Sequence, residues 1–310
     1  MPQTNSLTTL LEHHPFVVLD GALATELEAR GCSLVDTLWS AKVLMENPQR
    51  IRDVHLDYFR AGAQIAITAS YQATPAGFAA RGLTEAQSKA LIEQSVQLAK
   101  EASDIYRAEN PNAGPLLVAG SVGPYGAYLA DGSEYRGDYV RSREVFQAFH
   151  RPRIDALLNA GVDLLACETL PSFAEIEALA DLLSDYPQAQ AWFSFTLRDD
   201  QHLSDGTPLV QVVNALSDCS QIVALGINCI ALHKTTAALK HLQSLSALPL
   251  VVYPNSGETY DAVTKAWHTH GESCGSLAAY LPQWLAAGAR IIGGCCRTTP
   301  QDIAALREHR

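Results

Sequence analysis

The sequence repeats one short pattern three times, and this repeat is the strongest constraint on its fold. The three copies are RAGAQIAITAS, NAGVDLLACET and AAGARIIGGCC. Each copy has a glycine (Gly62, Gly161 or Gly288) where a helix would end in a left-handed turn, and an apolar run follows. The repeat therefore predicts the same helix-to-strand connection at three places in the chain.

Short apolar runs of this kind occur eight times along the chain. They lie at 16–22, 63–70, 116–123, 162–169, 191–197, 224–229, 248–255 and 289–296. Near-continuous runs of Val, Ile and Leu are typical of strands that are covered on both faces. Helical patterns separate the runs, with start signals at Asn47-Pro48, Thr84 with Gln87, Ser172 with Glu175 as a capping box, and Thr299-Pro300. Eight alternating β and α units predict an α/β fold, a (β/α)8 TIM barrel that forms one domain over residues 1–310.

The net charge of the chain indicates which classes of partner it can bind. The formal net charge is −11 at pH 7, and no cluster of Lys or Arg reverses it locally. An acidic surface disfavours general binding to nucleic acid or to an anionic membrane, so we expect small-molecule partners. The first residues lack a basic segment followed by a long apolar one, and no apolar run is long enough to span a membrane. We therefore expect a cytoplasmic protein.

Three cysteines lie at predicted strand ends, where catalytic residues of such barrels gather. Cys229 ends the sixth run, and Cys295 and Cys296 end the eighth. Three thiolates that leave a fourth position open are a known ligand set for catalytic Zn²⁺. Adjacent cysteines can share one ion only if the strand breaks between them, and Gly293 and Gly294 permit such a break. The sequence therefore predicts a zinc site at this end of the barrel.

Other roles for the cysteines stay open at this point. A Cys-Cys pair at a strand end is also compatible with simple packing or with a vicinal disulfide. Side-chain alternation argues against Cys167 as a ligand, because Cys167 faces the helices if Glu168 faces the barrel mouth. Cys32, Cys219 and Cys274 fall in predicted loops or helices, and we interpret them as structural or incidental.

Polar residues also end several of the predicted strands. They are Asp20 with Gly21, Glu168, Asn228 and Asn255, and we assign them to the substrate site. A carboxylate at the end of an apolar strand needs a partner, which makes Glu168 the strongest of these candidates. The segment 120–141, rich in Gly, Tyr and charge, follows the third strand, and we interpret it as a lid loop.

Seven segments together resemble the homocysteine S-methyltransferase family over nearly the whole chain. The segments are LDGALATEL, TASYQAT, GSVGPYG, ACET, GINC, YPNSGE and GGCCRTTP. The resemblance implies a zinc-dependent barrel in which Cys229, Cys295 and Cys296 hold the metal and the sulfur of homocysteine takes the fourth position. It implies that Asp20 and Glu168, with Gly21 close by, bind the amino-acid end of homocysteine, and that Tyr71 lies near the reacting groups. Tyr71 and Glu168 are the catalytic residues that we predict on this basis.

The methyl donor is inferred by elimination within that family. The chain ends soon after Cys296, without the cobalamin and folate domains of methionine synthase or the C-terminal extension of betaine-dependent enzymes. Thr169 follows Glu168 where betaine-dependent enzymes carry an aromatic residue. We therefore expect S-methylmethionine as donor, with S-adenosylmethionine as a second donor and betaine as the alternative. The missing extension also predicts a monomer.

Two other classes of protein are compatible with part of this pattern. A zinc-dependent hydrolase would use histidine and carboxylate ligands, but the 10 histidines avoid the predicted strand ends. A non-enzymatic redox sensor would use Cys295 and Cys296 as a switchable pair and would carry no stoichiometric zinc. Metal analysis separates the sensor from the transferase.

Overall fold

The computed structural model describes residues 6–34, 36–38, 40–256, 259–261, 266–268 and 275–310. The helices are α1 (Ser6–His13), α2 (Leu23–Ala29), α3 (Ser40–Glu46), α4 (Pro48–Ala61), α5 (Pro75–Ala79), α6 (Glu85–Glu109), α7 (Tyr125–Leu129), α8 (Arg143–Asn159), α9 (Phe173–Leu183), α10 (Leu209–Leu216), α11 (Leu232–Leu245), α12 (Leu277–Ala286) and α13 (Pro300–Arg307), with a 3₁₀ helix at Ser133–Tyr135. The strands are β1 (Val17–Val18), β2 (Ile65–Ile67), β3 (Leu117–Val122), β4 (Leu164–Leu170), β5 (Ala191–Phe195), β6 (Leu197–Asp199), β7 (His202–Leu203), β8 (Ile222–Asn228), β9 (Leu250–Tyr253), β10 (Thr259–Asp261), β11 (Ala266–His268) and β12 (Ala289–Ile292).

Eight of these strands form one parallel sheet that closes on itself. Their order is β1-β12-β9-β8-β5-β4-β3-β2, and a parallel bridge between Leu19 and Ile65 joins the two ends. Each of the eight predicted apolar runs overlaps one barrel strand, so the prediction of a (β/α)8 barrel is confirmed. The remaining strands pair as two antiparallel hairpins outside the barrel, β6 with β7 and β10 with β11.

Side chains complete the closure between β1 and β2. Backbone hydrogen bonds run from Gln64 to Val18 and from Asp20 to Ile65. The side-chain oxygen of Gln64 also accepts the amide hydrogen of Val18, and a carboxylate oxygen of Asp20 accepts that of Ile67 at 2.8 Å. The side chains of Gln64 and Asp20 therefore accept two peptide amides at this joint, where the short first strand offers them no carbonyl partner.

The three repeated glycines take the conformation that the sequence predicts. The φ angles of Gly62, Gly161 and Gly288 are 110°, 79° and 84°. Each glycine directly precedes the residues that lead into β2, β4 or β12. A left-handed backbone favours glycine at these joints, because a side chain would be strained there.

The hydrophobic core has two layers, as a closed barrel requires. One layer fills the inside of the barrel and includes Trp192 and Tyr253, whose rings meet edge to face, and α1 packs Leu7 and Leu10 against it. The other layer lies between the strands and the surrounding helices. Cys167 belongs to this outer layer and is fully buried, as side-chain alternation predicts.

Three predicted helix starts are confirmed and a fourth is only partly right. Asn47 precedes α4, whose first residue is Pro48. Thr84 with Gln87 forms a capping box at α6, and Thr299 opens α13 just before Pro300. At α9, the hydroxyl of Ser172 accepts the amide of Glu175, but the Glu175 carboxylate does not return to Ser172. That carboxylate is instead bonded to groups of the neighbouring loop and helix.

The described helices include no segment with the length and hydropathy of a membrane span.

Candidate functional site

Three cysteine sulfurs meet at the carboxyl end of the barrel. The Sγ atoms of Cys229, Cys295 and Cys296 all lie within 4.8 Å of one another. Cys295 and Cys296 are 3.9 Å apart, whereas Cys229 and Cys295 contact each other as a disulfide pair with Cα atoms 5.6 Å apart. The directly paired sulfurs are therefore not the adjacent ones. In the part of the chain that the structure describes, no other group of three His, Cys, Asp or Glu residues has spacing that suits a metal ion.

Breaks in two strands bring these sulfurs together. Cys229 follows β8 with a φ of 50°, a left-handed conformation that turns its side chain away from the strand direction. The strand β12 ends before Gly293 and Gly294, as the sequence predicts. Their role is different from the one expected, because neither has a positive φ. A Cβ atom at Gly293 would collide with Leu19, and one at Gly294 would collide with Thr298, so close packing requires both glycines.

The chemistry of this donor set fits a zinc ion. All three candidate ligands are sulfur atoms, which prefer soft metals, and three protein ligands leave a fourth position for a substrate. Burial raises the pKa of Cys296 to about 12, so its thiolate needs a nearby positive charge. No Lys, Arg or His lies among the described residues that line the surrounding cavity.

Two buried carboxylates face the same cavity. Asp20 accepts the Ile67 amide, and Glu168 accepts the hydroxyl hydrogens of Ser121 at 2.5 Å and Tyr253 at 2.9 Å. Burial raises the pKa of both carboxyl groups, and these hydrogen bonds oppose the shift. A cationic ligand that displaces water here would find two fixed acceptors.

The two predicted asparagines have different positions. Asn228 lines the cavity, but its side chain is bonded at 2.8 Å to the amide and hydroxyl of Thr169 and to the hydroxyl of Ser194. Thr169 has a φ of 60°, so Asn228 holds a strained turn at the end of β4. Asn255 is buried behind the described lining of the cavity, and its side-chain oxygen has no hydrogen-bond partner among the described residues.

Tyr71 and Gly21 both line the cavity. Burial raises the pKa of Tyr71 well above its ordinary value, and a hydrogen bond with Thr169 opposes the shift. Burial therefore favours the neutral form of its hydroxyl. A Cβ atom at Gly21 would collide with the hydroxyls of Tyr58 and Thr298, which explains the glycine beside Asp20.

The cavity is small and strongly acidic. It has a volume of about 290 Å³. Five carboxyl groups line it, and one of them, Asp36, is paired with Arg81. These five are Asp20, Glu28, Asp36, Glu134 and Glu168. An acidic cavity with no basic lining among the described residues attracts cations and repels anions.

The predicted lid segment, 120–141, begins within β3 and continues as two short helical turns. Its 3₁₀ turn brings Glu134 and Tyr135 to the cavity wall. Sequence reasoning missed Glu134, because an acidic residue in a polar loop has no periodicity or motif to set it apart. Gly257 and Glu258 of the YPNSGE motif, and Cys274, lie outside the described residues.

A buried polar network supports the loops of the site from behind. Arg153 is fully buried and donates to the backbone carbonyls of Tyr71 and Gly123, both at 2.6 Å. Its guanidinium also lies 2.9 Å from His150, which contacts Glu175 at 2.6 Å. Burial lowers the pKa of Arg153 to about 10, so it stays charged.

Glu175 connects this network to the lid. Its carboxylate accepts the Tyr125 amide at 2.6 Å and the hydroxyl of Tyr139. These contacts explain why Glu175 does not close the capping box at Ser172. Sequence reasoning missed the network, because its members lie on helices and face inward, where a helical pattern alone predicts apolar residues.

Comparison with known proteins gives one consistent result. The family model described as homocysteine S-methyltransferase matches residues 17–310. The matched range includes all eight barrel strands and the three clustered cysteines.

Individual relatives match over almost their full length. The chain is 74% identical to the homocysteine S-methyltransferase of Escherichia coli K12, with 99% of each chain covered. It is 52% identical to the homocysteine S-methyltransferase YbgG of Bacillus subtilis, with 96% of each covered. Among solved structures, the metallated form of the homocysteine methyltransferase MmuM from Escherichia coli matches with a TM-score of 0.91 and 70% identity, covering 99% of this chain and 100% of that one.

Proposed function

The chain belongs to the homocysteine S-methyltransferase family and is an enzyme of that activity, and we propose that it uses Zn²⁺ and takes the methyl group from S-methylmethionine. S-adenosylmethionine is the second donor in this proposal. The acidic cavity beside three clustered sulfurs is the observation that carries it. With S-methylmethionine, both products would be methionine.

The proposed metal ligands are Cys229, Cys295 and Cys296. Zinc, when bound, would lower the pKa of a substrate thiol so that it is ionised at neutral pH. The sulfur-only donor set and the absence of a fourth protein ligand among the described residues support this choice. The metallated form of the relative MmuM is a second support. Three thiolate ligands require reducing conditions, because only the thiolate form of cysteine binds the metal.

The amino-acid end of homocysteine is assigned to the buried carboxylates. Asp20 and Glu168 would accept hydrogen bonds from its ammonium group, and each carboxylate is already held in place by the protein. Gly21 lets neighbouring side chains pack closely beside Asp20, and Asn228 fixes the turn that follows Glu168. Tyr71, neutral and buried, would pack against the reacting groups.

The charge of the cavity supports a cationic donor. The homocysteine sulfur attacks the methyl carbon, the bond from that carbon to the donor sulfur breaks, and its electron pair stays on the donor sulfur as a neutral sulfide. The thiol proton is lost to solvent. Each donor brings one carboxylate, but S-methylmethionine carries one net positive charge whereas betaine is neutral overall, so a cavity lined by carboxylates attracts S-methylmethionine more strongly. Electrostatics therefore favours the sulfonium amino acid.

A donor panel tests the proposal. Purified protein, supplied with zinc, reductant and homocysteine, should form methionine faster from S-methylmethionine than from betaine by roughly tenfold or more. S-adenosylmethionine should also be used. Faster transfer from betaine would overturn the choice of donor.

Two further properties complete the proposal. We place the enzyme in the cytoplasm, where a reducing environment keeps thiol ligands and thiol substrates free. We also propose that it acts as a monomer, since the described site is assembled from one chain. Light scattering checks this, and a stable dimer would contradict it.

A further inference from the structure

One carboxylate of the cavity has no role in the binding of homocysteine proposed above. Glu134 lies on the 3₁₀ helix of the lid, lines the cavity, and is only 8% exposed. Its Oε2 atom is buried and has no hydrogen-bond partner among the residues that the structure describes. A buried carboxylate oxygen without a donor is costly, so its retention at a cavity wall indicates a ligand that completes it.

The backbone around Glu134 is held firmly in place. The hydroxyl of Thr196, at the end of β5, donates to the Glu134 carbonyl at 2.9 Å. Gly126 packs directly against the Glu134 amide, and a Cβ atom there would collide with it. The position of this carboxylate is therefore set by contacts from two other elements.

The cation nearest in sequence does not neutralise Glu134 directly. The guanidinium of Arg136 contacts Asp138 at 2.9 Å and Asp131 at 3.7 Å, and it donates to the Asp131 carbonyl. All three groups are exposed at the surface of the lid. The inward side of the lid is thus left with an acidic group and no ion pair.

Glu134 lines the same cavity as Tyr71 and Glu168. After burial, its negative charge is the strongest influence that raises the pKa of Tyr71, ahead of Glu168. The carboxylate therefore lies on the lid side of the cavity that also holds Tyr71 and the candidate metal ligands.

We propose that Glu134 binds the positive charge of the methyl donor and selects cationic donors over neutral ones. This inference rests on the proposed function, because it assigns a contact to the donor of that reaction. The donor loses its positive charge as the methyl group leaves, so the attraction is stronger in the bound donor than in the transition state. Glu134 should therefore lower the KM for the donor without raising kcat.

The variant Glu134→Gln tests this proposal, because it keeps the shape and removes the charge. We expect the KM for S-methylmethionine to rise roughly 10- to 100-fold, with the KM for homocysteine unchanged within about twofold and kcat not reduced. Glu144→Gln is the matched control, since Glu144 is an exposed carboxylate at the start of α8, just after the lid. It should leave all three constants within about twofold of wild type.

A second donor identifies the cation that Glu134 contacts. (Carboxymethyl)dimethylsulfonium has a sulfonium but no ammonium group. A matching rise in its KM in Glu134→Gln assigns the contact to the sulfonium, and a rise confined to S-methylmethionine assigns it to the ammonium. Both results support the proposal.

The inference fails if Glu134→Gln leaves the KM for S-methylmethionine within about twofold of wild type, or if only the KM for homocysteine rises. A melting temperature equal to that of wild type checks that the variant is folded. Failure of the proposed function is a different result, because wild-type enzyme would then show no transfer from S-methylmethionine at all.

Discussion

A single residue, Asp20, serves both the fold and the site. One carboxylate oxygen accepts the amide of Ile67 and helps to close the barrel, while the group also lines the acidic cavity. Burial raises its pKa well above the ordinary value of 3.8, and the charge of Glu168 adds to the shift. The ionised form that would bind an ammonium group is therefore costly in the empty protein.

The variant Asp20→Asn should separate these two roles. An acid whose pKa is raised by folding stabilises the native state below its ordinary pKa, and this contribution is lost as the pH rises through the folded-state pKa. Without homocysteine, Asp20→Asn should therefore be more stable than wild type at pH 8 by about 1 kcal/mol, and the difference should shrink towards pH 4. Its affinity for homocysteine should fall roughly 10- to 100-fold.

Denaturant unfolding and calorimetry measure these two effects. Asp20→Ala is the comparison, because alanine cannot accept the Ile67 amide and should be destabilised at every pH. A lower stability of Asp20→Asn than of wild type at pH 8 would show that the ionised carboxylate is not strained in the empty site.

The cysteines allow a direct test of the proposed metal site. Cys229→Ser and Cys296→Ser should each lose stoichiometric zinc and reduce methyl transfer at least roughly 100-fold, because both remove a ligand. Cys32→Ser is the control, since Cys32 lies after α2 and outside the described lining of the cavity. Metal analysis and rate measurements on reduced protein decide the matter. Full activity without bound zinc would refute the assignment and favour the alternative of a thiol sensor.

The position of a residue determined whether the sequence could identify it. Cys229, Glu168 and Asp20 end predicted strands, so the barrel topology alone places them at one rim. Glu134 lies in a loop, whose path depends on contacts such as the one with Thr196 that no local pattern shows. The binding of Thr169 by Asn228 was equally hidden, because it joins two different strand ends.

At the scale of elements, α8 supports the loops that cover the site. Arg153 donates to backbone carbonyls of two loops, the ones after β2 and β3, and contacts His150 on its own helix. Through Glu175 on α9, the same network reaches the lid at Tyr125. Helices of the outer layer thus hold the loop after β2 and the lid, which is the loop after β3.

Removal of this cation should weaken the whole arrangement. Arg153→Met should lower the free energy of unfolding by about 3 kcal/mol, because it leaves the buried carbonyls of Tyr71 and Gly123 without their donor. Arg151→Met is the matched control on the same helix, where Arg151 forms an exposed ion pair with Asp185, and it should change stability by less than about 0.5 kcal/mol. Denaturant unfolding measures both values. Equal stabilities of the two variants would show that the buried contacts contribute nothing net.

The start of α9 is a place where a local sequence motif predicts only part of the structure. Ser172 with Glu175 has the spacing of a capping box, and the local pattern predicts that Glu175 bonds back to Ser172. The structure uses the carboxylate for Tyr125 and His150, because a buried acid gains more from several fixed donors than from the single amide of Ser172. A local motif cannot show such competition from distant residues.

At the scale of the whole molecule, the alternation of apolar runs and helical patterns was sufficient to predict the closed barrel. The hairpins β6–β7 and β10–β11 were not predicted, because each of their strands has only two or three residues. The packing of α1 against the barrel interior was also missed. The sequence of α1 shows a short apolar stripe, Leu7 with Leu10, but does not identify the surface against which it packs.

Metal binding should stabilise the molecule as a whole. The candidate ligands follow β8 and β12, which lie on either side of β9, so one ion would tie together three neighbouring strands. Reduced protein with zinc at about 100 times its Kd should gain about 2.7 kcal/mol over the metal-free form. Thermal unfolding with zinc and with a chelator measures the difference. An unchanged melting temperature on chelation would mean that zinc is not held by these strands.

The order of the strands has a further consequence for how the enzyme matures. The last barrel strand, β12, inserts between β1 and β9, and it also delivers two of the three sulfurs. In a partly folded molecule in which this strand has not yet docked, only Cys229 of the three candidate ligands is in place, and the metal site is incomplete. Zinc binding would thus report when the barrel has closed. In a refolding reaction, a colorimetric zinc indicator would follow this step through the loss of free zinc.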